Sequence, residues 1–134
     1  MRTTVTPFLM FEGKAEEAMR FSLSLIPDSS VTNIARYGAG GPGKAGSVIR
    51  ADFVLAGQPV ICIDSPAPHA FTFTPSFSMF VDCADEAELK RLFASLSDGG
   101  KIMMPLDDYG FSRKFAWVSD RYGVSWQLNL PFAK

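Results

Sequence analysis

The spacing of apolar residues along this 134-residue chain alternates between strand-like and helix-like, and the same succession occurs twice. At Phe8–Phe11, and again at Phe77–Phe80, a short strand-like run leads into a segment with apolar residues at helical spacing. Three further strand-like runs follow each helical segment. The pattern therefore predicts strand–helix–strand–strand–strand, repeated once.

The two copies share letters as well as pattern. FLMFEGKAEEA, residues 8–18, matches FSMFVDCADEA, residues 77–87, without a gap. Each copy predicts a strand that feeds a helix with an acidic first turn, which suits the positive end of the helix dipole. We expect the first helix to stop before Pro27 and the second to stop at Gly99-Gly100.

The repeat predicts an α+β fold in which two tandem βαβββ modules form curved sheets around a cleft. We predict a single domain over residues 1–134, with module 1 over about 5–64, an irregular linker over about 65–75 and module 2 over about 76–130. The strands expected after the helices span residues 30–37, 47–56, 59–64, 101–105, 112–119 and 124–130.

The charge and the apolar runs of the sequence argue against nucleic-acid and membrane partners. The formal net charge is −1 and no run of Lys or Arg stands out, so the sequence lacks the basic footprint of a nucleic-acid-binding protein. The apolar runs are too short to cross a membrane, and the first residues do not resemble a signal peptide. We therefore expect a cytoplasmic protein with no nucleic-acid or membrane partner. Cys62 and Cys83, each in an apolar strand-like run, are expected to be reduced and buried.

Three segments, in order, resemble one known family. TPFLMFEGKAEEAMRFSLSLIPDS, RYGAGGPGKAGSV and DRYGVSWQL are similar to the PhnB-like branch of the vicinal oxygen chelate superfamily, which includes glyoxalases, bleomycin-resistance proteins and dioxygenases. Some of this branch is labelled 3-demethylubiquinone-9 3-methyltransferase-like. The resemblance extends from Thr6 to Leu130. It implies paired βαβββ modules, a U-shaped cleft and a homodimer.

The resemblance also implies where a metal site would be, but the residues at those positions in this chain are not metal ligands. Metal-dependent superfamily members place four ligands, usually His, Glu or Gln, on the first and last strands of the modules. The corresponding residues here are Pro7, Ile61, Ser76 and Gln127. Pro and Ile offer no side-chain donor, and the single His, His69, falls in the linker. We therefore predict no metal and no cofactor.

The last strand still carries a polar face, on which Ser125, Gln127 and Asn129 alternate with Trp126 and Leu128. One interpretation is a neutral, hydrogen-bonding cleft floor for a small ligand; the other is that Gln127 only satisfies nearby backbone groups or water. Arg36, Arg50 and Arg113 could bind an anionic group of a ligand or form surface ion pairs. Trp117 could line the ligand site or pack in the core. The candidate ligand-binding residues are Ser76, Ser78, Ser125, Gln127, Asn129, Arg36, Arg50 and Trp117.

Three functions follow as alternatives. The first is metal-free binding of an unidentified small molecule in the cleft. The second is an enzyme of unknown reaction within the superfamily, with no assignable catalytic residue, and the third is a structural or partner-binding role. The methyltransferase label is disfavoured, because GAGGPG, residues 38–43, is expected between two strands rather than between a strand and a helix.

Overall fold

The computed structural model describes residues 1–132, and within them the predicted α+β element order is confirmed. The first five elements are β1 (Phe8–Phe11), α1 (Ala15–Leu25), β2 (Ser30–Arg36), β3 (Val48–Leu55) and β4 (Gln58–Asp64). The second five are β5 (Ser78–Asp82), α2 (Glu86–Ser97), β6 (Lys101–Asp107), β7 (Lys114–Ser119) and β8 (Ser125–Leu130).

The chain divides into two compact units, the first ending at Ala70 and the second beginning at Phe71. The sheet of the first unit has the strand order β1-β4-β3-β2, and that of the second has β5-β8-β7-β6. The β1–β4 and β5–β8 pairs are parallel, and the other pairs are antiparallel. Each unit is therefore a βαβββ module.

In the first unit, α1 covers one side of the sheet. Ala15 and Met19 on the helix are almost fully buried, as are Phe53 on β3 and Cys62 on β4. The Cys62 thiol lies 3.9 Å from the Ala15 carbonyl oxygen, so the small Ala15 lets the helix approach β4 closely. Burial of such side chains is the main stabilising contribution to this core.

In the second unit, α2 presents Leu89, Leu92 and Leu96 to the sheet, and none of the three is exposed. Trp126 and Leu128 on β8 are also buried. Since successive strand side chains point to opposite faces, Ser125, Gln127 and Asn129 lie on the side away from α2. The predicted separation of apolar and polar faces on the last strand is confirmed.

The second helix ends where the sequence predicts. Gly99 has φ of +74°, which residues other than glycine adopt only at a cost. A Cβ added to Gly100 would lie 2.1 Å from the Ser119 carbonyl oxygen, so only glycine allows this close approach of the chain to the end of β7.

The sequence repeat is out of register with the structural one. The ungapped match pairs Leu9 with Ser78. However, Leu9 is buried and lies beside Cys62 on the helix-covered face, whereas Ser78 lies beside Ser125 on the face away from the helix. Side-chain direction alternates along a strand. The alignment that brings corresponding side chains onto the same face is therefore shifted by an odd number of residues from the ungapped sequence match. Equivalences drawn from the letters alone therefore point to the wrong face.

Both thiols are expected to be inert in the folded protein. Cys62 and Cys83 are free and buried, as predicted. Burial raises the pKa of Cys62 to about 12 and that of Cys83 to about 11, so almost no thiolate forms at neutral pH. A thiol-specific aromatic disulfide at about pH 8 should label neither cysteine in the native protein and both in denaturant. Rapid labelling without denaturant would contradict this.

Candidate functional site

The face of the second sheet away from α2, termed here the open face, gathers polar and aromatic side chains from all four strands. In strand register, Ser78 is next to Ser125, and Phe80 is next to Gln127. On the other side of β8, Trp117 of β7 lies next to Gln127. The open face is composed of Ser78, Phe80, Asp82, Ser125, Gln127, Asn129, Phe115, Trp117 and Ser119, with Met104 and Asp107 from β6.

A hydrogen-bond network connects four of these side chains. The Trp117 indole N–H donates to Ser125 Oγ over 2.8 Å, and Ser125 Oγ lies 2.7 Å from Ser78 Oγ. Gln127 Nε2 in turn donates to Ser78 Oγ over 3.2 Å. Of the predicted floor residues, the structure thus brings Ser78, Ser125, Gln127 and Trp117 together.

The direction of the bonds in this network follows from burial. Ser125 is only 1 % exposed, so its hydroxyl proton requires an acceptor, and Ser78 Oγ is the one within reach. Ser78 can then donate towards the Pro75 carbonyl oxygen, 3.4 Å away, and accept from Gln127. The amide nitrogen of Gln127 is therefore the side-chain atom that faces the network. Within residues 1–132 the side-chain oxygen of Gln127, Oε1, accepts no hydrogen bond.

Asn129 is oriented in a similar way by a carboxylate. Its Nδ2 donates to Asp82 Oδ1 over 2.8 Å across the β5–β8 pair. Its side-chain oxygen, Oδ1, is left without a donor in the described part of the chain. Both amides of the open face thus use one N–H internally and leave an oxygen available.

Four aromatic rings cluster at one end of the open face. Phe115 is buried and lies beneath the others, with ring centroids 4.9 Å from Phe111, 6.2 Å from Tyr109 and 6.5 Å from Phe80. Tyr109 and Phe111, in the loop before β7, stack with an interplanar angle of 14°. Phe111 and Phe80 are each 57 % exposed, so the cluster offers ring surface to solvent.

The remaining predicted residues lie elsewhere. Ser76 precedes β5, and its hydroxyl is 2.7 Å from Thr74 Oγ1 rather than near Gln127. Arg36 makes two hydrogen bonds to Glu16, on the helix-covered side of the first unit, and this hydrogen bonding lowers the pKa of Glu16. Arg50 likewise pairs with Asp52, lowering the pKa of that carboxyl. Both arginines form exposed surface ion pairs, which contribute little to stability.

The four residues that the family resemblance equates with metal ligands, Pro7, Ile61, Ser76 and Gln127, do not form a ligand set here. In the first unit, Pro7 offers only its carbonyl oxygen, which accepts from the Ile61 N–H over 2.9 Å. In the second, Gln127 is hydrogen-bonded to Ser78, and Ser76 lies apart. Within residues 1–132 no three His, Cys, Asp or Glu side chains come close enough to share a metal ion. The side chains therefore do not fit a divalent cation, which requires several such donors at once.

Two features of the site were not predicted from the sequence. These are Asp82, which orients Asn129, and the ring pair of Tyr109 and Phe111. The spacing of aromatic residues at 109, 111 and 115 was the available signal, because large apolar side chains in a polar loop often pack onto a neighbouring sheet face.

Neither of the two helices within residues 1–132 is long and apolar enough to cross a membrane.

Comparisons with known proteins agree over nearly the whole chain. A family model described as 3-demethylubiquinone-9 3-methyltransferase matches residues 3–129. The solved PhnB protein from Bacillus cereus is 54 % identical, with a TM-score of 0.93 over 96 % of this chain and 99 % of the other. Protein YjdN from Escherichia coli is 23 % identical over 139 residues, covering 94 % of each chain. The fosfomycin resistance protein FosX from Mesorhizobium loti, 11 % identical, has a TM-score of 0.61 over 96 % of this chain and 91 % of its own and shares the fold alone.

Proposed function

Because this chain belongs to the PhnB-like, 3-demethylubiquinone-9 3-methyltransferase-like family of the vicinal oxygen chelate superfamily, we propose that it binds a small organic molecule on the open face without a metal. The observation that carries the proposal is the network of Trp117, Ser125, Ser78 and Gln127. It fixes a half-buried amide with its carbonyl oxygen unused, beside exposed aromatic rings. Pockets for small ligands combine apolar surface with a few oriented polar groups in this way.

Group-transfer and nucleophilic chemistry have less support. The glycine-rich segment, residues 38–46, joins β2 to β3, so it provides no helix N-terminus for a nucleoside or phosphate. Both cysteines are buried with raised pKa values. His69 is hydrogen-bonded to Ser65 in the segment after β4, on the surface of the first unit. Binding therefore accounts for the side chains better than a reaction does.

We also propose that the protein forms a homodimer, as the family resemblance implies, and that it is cytoplasmic, as its sequence pattern leads us to expect.

Replacing Gln127 by Ala should abolish ligand-induced stabilisation while leaving the fold intact, since Gln127 is half-buried and its partner Ser78 retains Ser125. The measurement is a thermal-shift screen of metals and small-molecule classes on both proteins. A saturating ligand stabilises only the state that binds it, so a hit should raise the Tm of the wild type alone.

Gln58→Ala is the matched control, because Gln58 is exposed on β4 and its amide contacts only the Pro59 carbonyl oxygen. It should respond to every hit as the wild type does. A hit that stabilises the Gln127 variant equally places its binding site elsewhere, and stabilisation by a divalent ion that a chelator reverses would contradict the metal-free proposal.

A further inference from the structure

The open face has an excess of hydrogen-bond acceptors at its aromatic end. Across the sheet, one row runs through Asp107, Phe115, Asn129 and Asp82, on β6, β7, β8 and β5 respectively. Two carboxylates thus flank an aromatic ring and an amide. Asp82 uses Oδ1 to hold Asn129, and Asp107 uses Oδ1 to accept its neighbour's backbone N–H, so each retains a second oxygen.

The donors of the same face are largely used internally. The Trp117 indole N–H and the Ser125 hydroxyl are consumed within the network, and Gln127 and Asn129 each have one amide N–H engaged. Their side-chain oxygens, Gln127 Oε1 and Asn129 Oδ1, accept nothing from the rest of the described chain. Apart from the Ser119 hydroxyl, the groups left for a ligand are two amide oxygens, two carboxylate oxygens and one remaining N–H on each amide. A ligand that donates hydrogen bonds fits this set better than one that accepts them.

The rings indicate the same class of ligand. Phe80, Tyr109 and Phe111 present exposed aromatic surface; Tyr109 and Phe111 pack edge-to-face on Phe115, and Phe80 packs on it at a tilt of 37°. Aromatic faces attract cations, and carboxylates at the edge of such a cluster add to that attraction. Within residues 1–132 no salt bridge reaches Asp82 or Asp107, because the ion pairs of the second unit involve Glu86, Glu88 and Asp98 instead.

We propose that the open face recognises an organic ammonium ion with an aromatic or apolar body, its N–H groups directed at the oxygens of Gln127, Asn129 and Asp82 and its body on the ring cluster. This inference rests on the proposed function and specifies its ligand class. The ring cluster and the amide orientations support it independently of the carboxylates.

Four probes that share a phenyl ring separate charge from hydrogen bonding: benzylammonium, benzyltrimethylammonium, benzyl alcohol and benzoate. NMR titration should shift the side-chain amide signals of Gln127 and Asn129 and the indole signal of Trp117. Benzylammonium should bind at least about fivefold more tightly than benzyl alcohol, with benzyltrimethylammonium between them, because it retains the charge and lacks N–H donors. Benzoate should not bind.

Asp82→Asn keeps the acceptor for Asn129 and removes the charge. It should weaken benzylammonium about fivefold and leave benzyl alcohol unchanged. Asp98→Asn, at the exposed C-terminal end of α2, is the matched charge control and should change neither affinity. Phe111→Leu should weaken both cations, since it removes an exposed ring without opening the core.

Different results overturn different claims. If benzyl alcohol or benzoate binds as tightly as benzylammonium, or if Asp82→Asn behaves like Asp98→Asn, the ammonium preference is wrong, while Gln127-dependent binding of any probe still supports the proposed function. If no probe moves the open-face signals, this inference is overturned, and the thermal-shift screen with other compound classes decides the proposed function separately.

Discussion

Replacing Asp64 by Ala should lower the free energy of unfolding by about 3–5 kcal/mol, because three backbone donors lose their acceptor. Asp64 Oδ1 accepts from the N–H groups of Gly13 and Ala15, and Oδ2 accepts from that of Val48, all within 2.9 Å. The carboxylate is 3 % exposed, so water cannot readily replace it. It also lies at the positive end of the α1 dipole.

The size of this effect follows from how α1 begins. Lys14, at the N-cap position, makes no side-chain cap hydrogen bond, so Asp64 from the end of β4 serves instead. In α2 the cap is local: Asp85 accepts from the Glu88 N–H, and Glu88 accepts from the Ala84 N–H. Loss of Asp64 therefore disconnects α1 from β3 and β4 as well as uncapping it.

Urea denaturation measures this loss. Asp64→Asn should cost less, about 1–3 kcal/mol, because its oxygen can still serve two donors while its amide faces the Val48 N–H. Glu17→Ala, which removes an exposed carboxylate on α1, should change stability by less than about 0.5 kcal/mol. Similar values for Asp64→Ala and Glu17→Ala would show that the network is not structural.

Replacing Asp120 by Ala should also cost about 3–5 kcal/mol, for a related reason in the second unit. Asp120 Oδ1 accepts from the N–H groups of Tyr122 and Val124, and Oδ2 accepts from the Trp126 indole N–H over 2.9 Å. Asp120 is 6 % exposed. It therefore shapes the turn before β8 and anchors Trp126, which packs on the α2 side of the sheet.

The free energy of unfolding that is lost on replacing Asp120 by Ala should also depend on pH. Burial raises its pKa above the ordinary value for aspartate despite the three hydrogen bonds. The folded state therefore holds this proton more tightly than the unfolded state. The contribution of Asp120 to stability is fully present below the unfolded pKa and partly lost as the pH rises through the folded pKa.

The free-energy difference between the wild type and Asp120→Ala should accordingly be larger at about pH 3 than at about pH 7. Denaturation curves at a series of pH values measure it, and the carboxylates common to both proteins cancel in the difference. Asp98→Ala is the control, because Asp98 is an exposed carboxylate in the same unit. A difference that grows towards neutral pH would contradict the assignment.

Much of the fold was predictable, because its determinants are local in sequence. Strand and helix periods, Pro27 and Gly99-Gly100 set the element order and the helix ends. The role of Asp64 was not predicted, because its partners are about 50 residues away. An indirect signal was present: the segment EGKAEEA begins a helix without Ser, Thr, Asp or Asn at the cap, which implies a remote acceptor.

The site was predictable only in part. Alternation along the last strand placed Ser125, Gln127 and Asn129 on one face, as observed. The sequence predicted both Ser76 and Ser78 as site residues, but only Ser78 pairs with β8, opposite Ser125, and accepts from Gln127. The ring cluster depends on how the loop before β7 folds back onto Phe115, which no local pattern specifies.

The most direct test of metal-free binding combines exhaustive chelation with a binding measurement and elemental analysis. Protein dialysed against a chelator is titrated with the most strongly stabilising compound from the screen, and the saturated complex is analysed for metals. The affinity should be unchanged by chelation, binding should depend on Gln127, and the complex should contain no stoichiometric metal. Binding that is lost on chelation and restored by Mn²⁺ or Zn²⁺ would contradict the metal-free proposal.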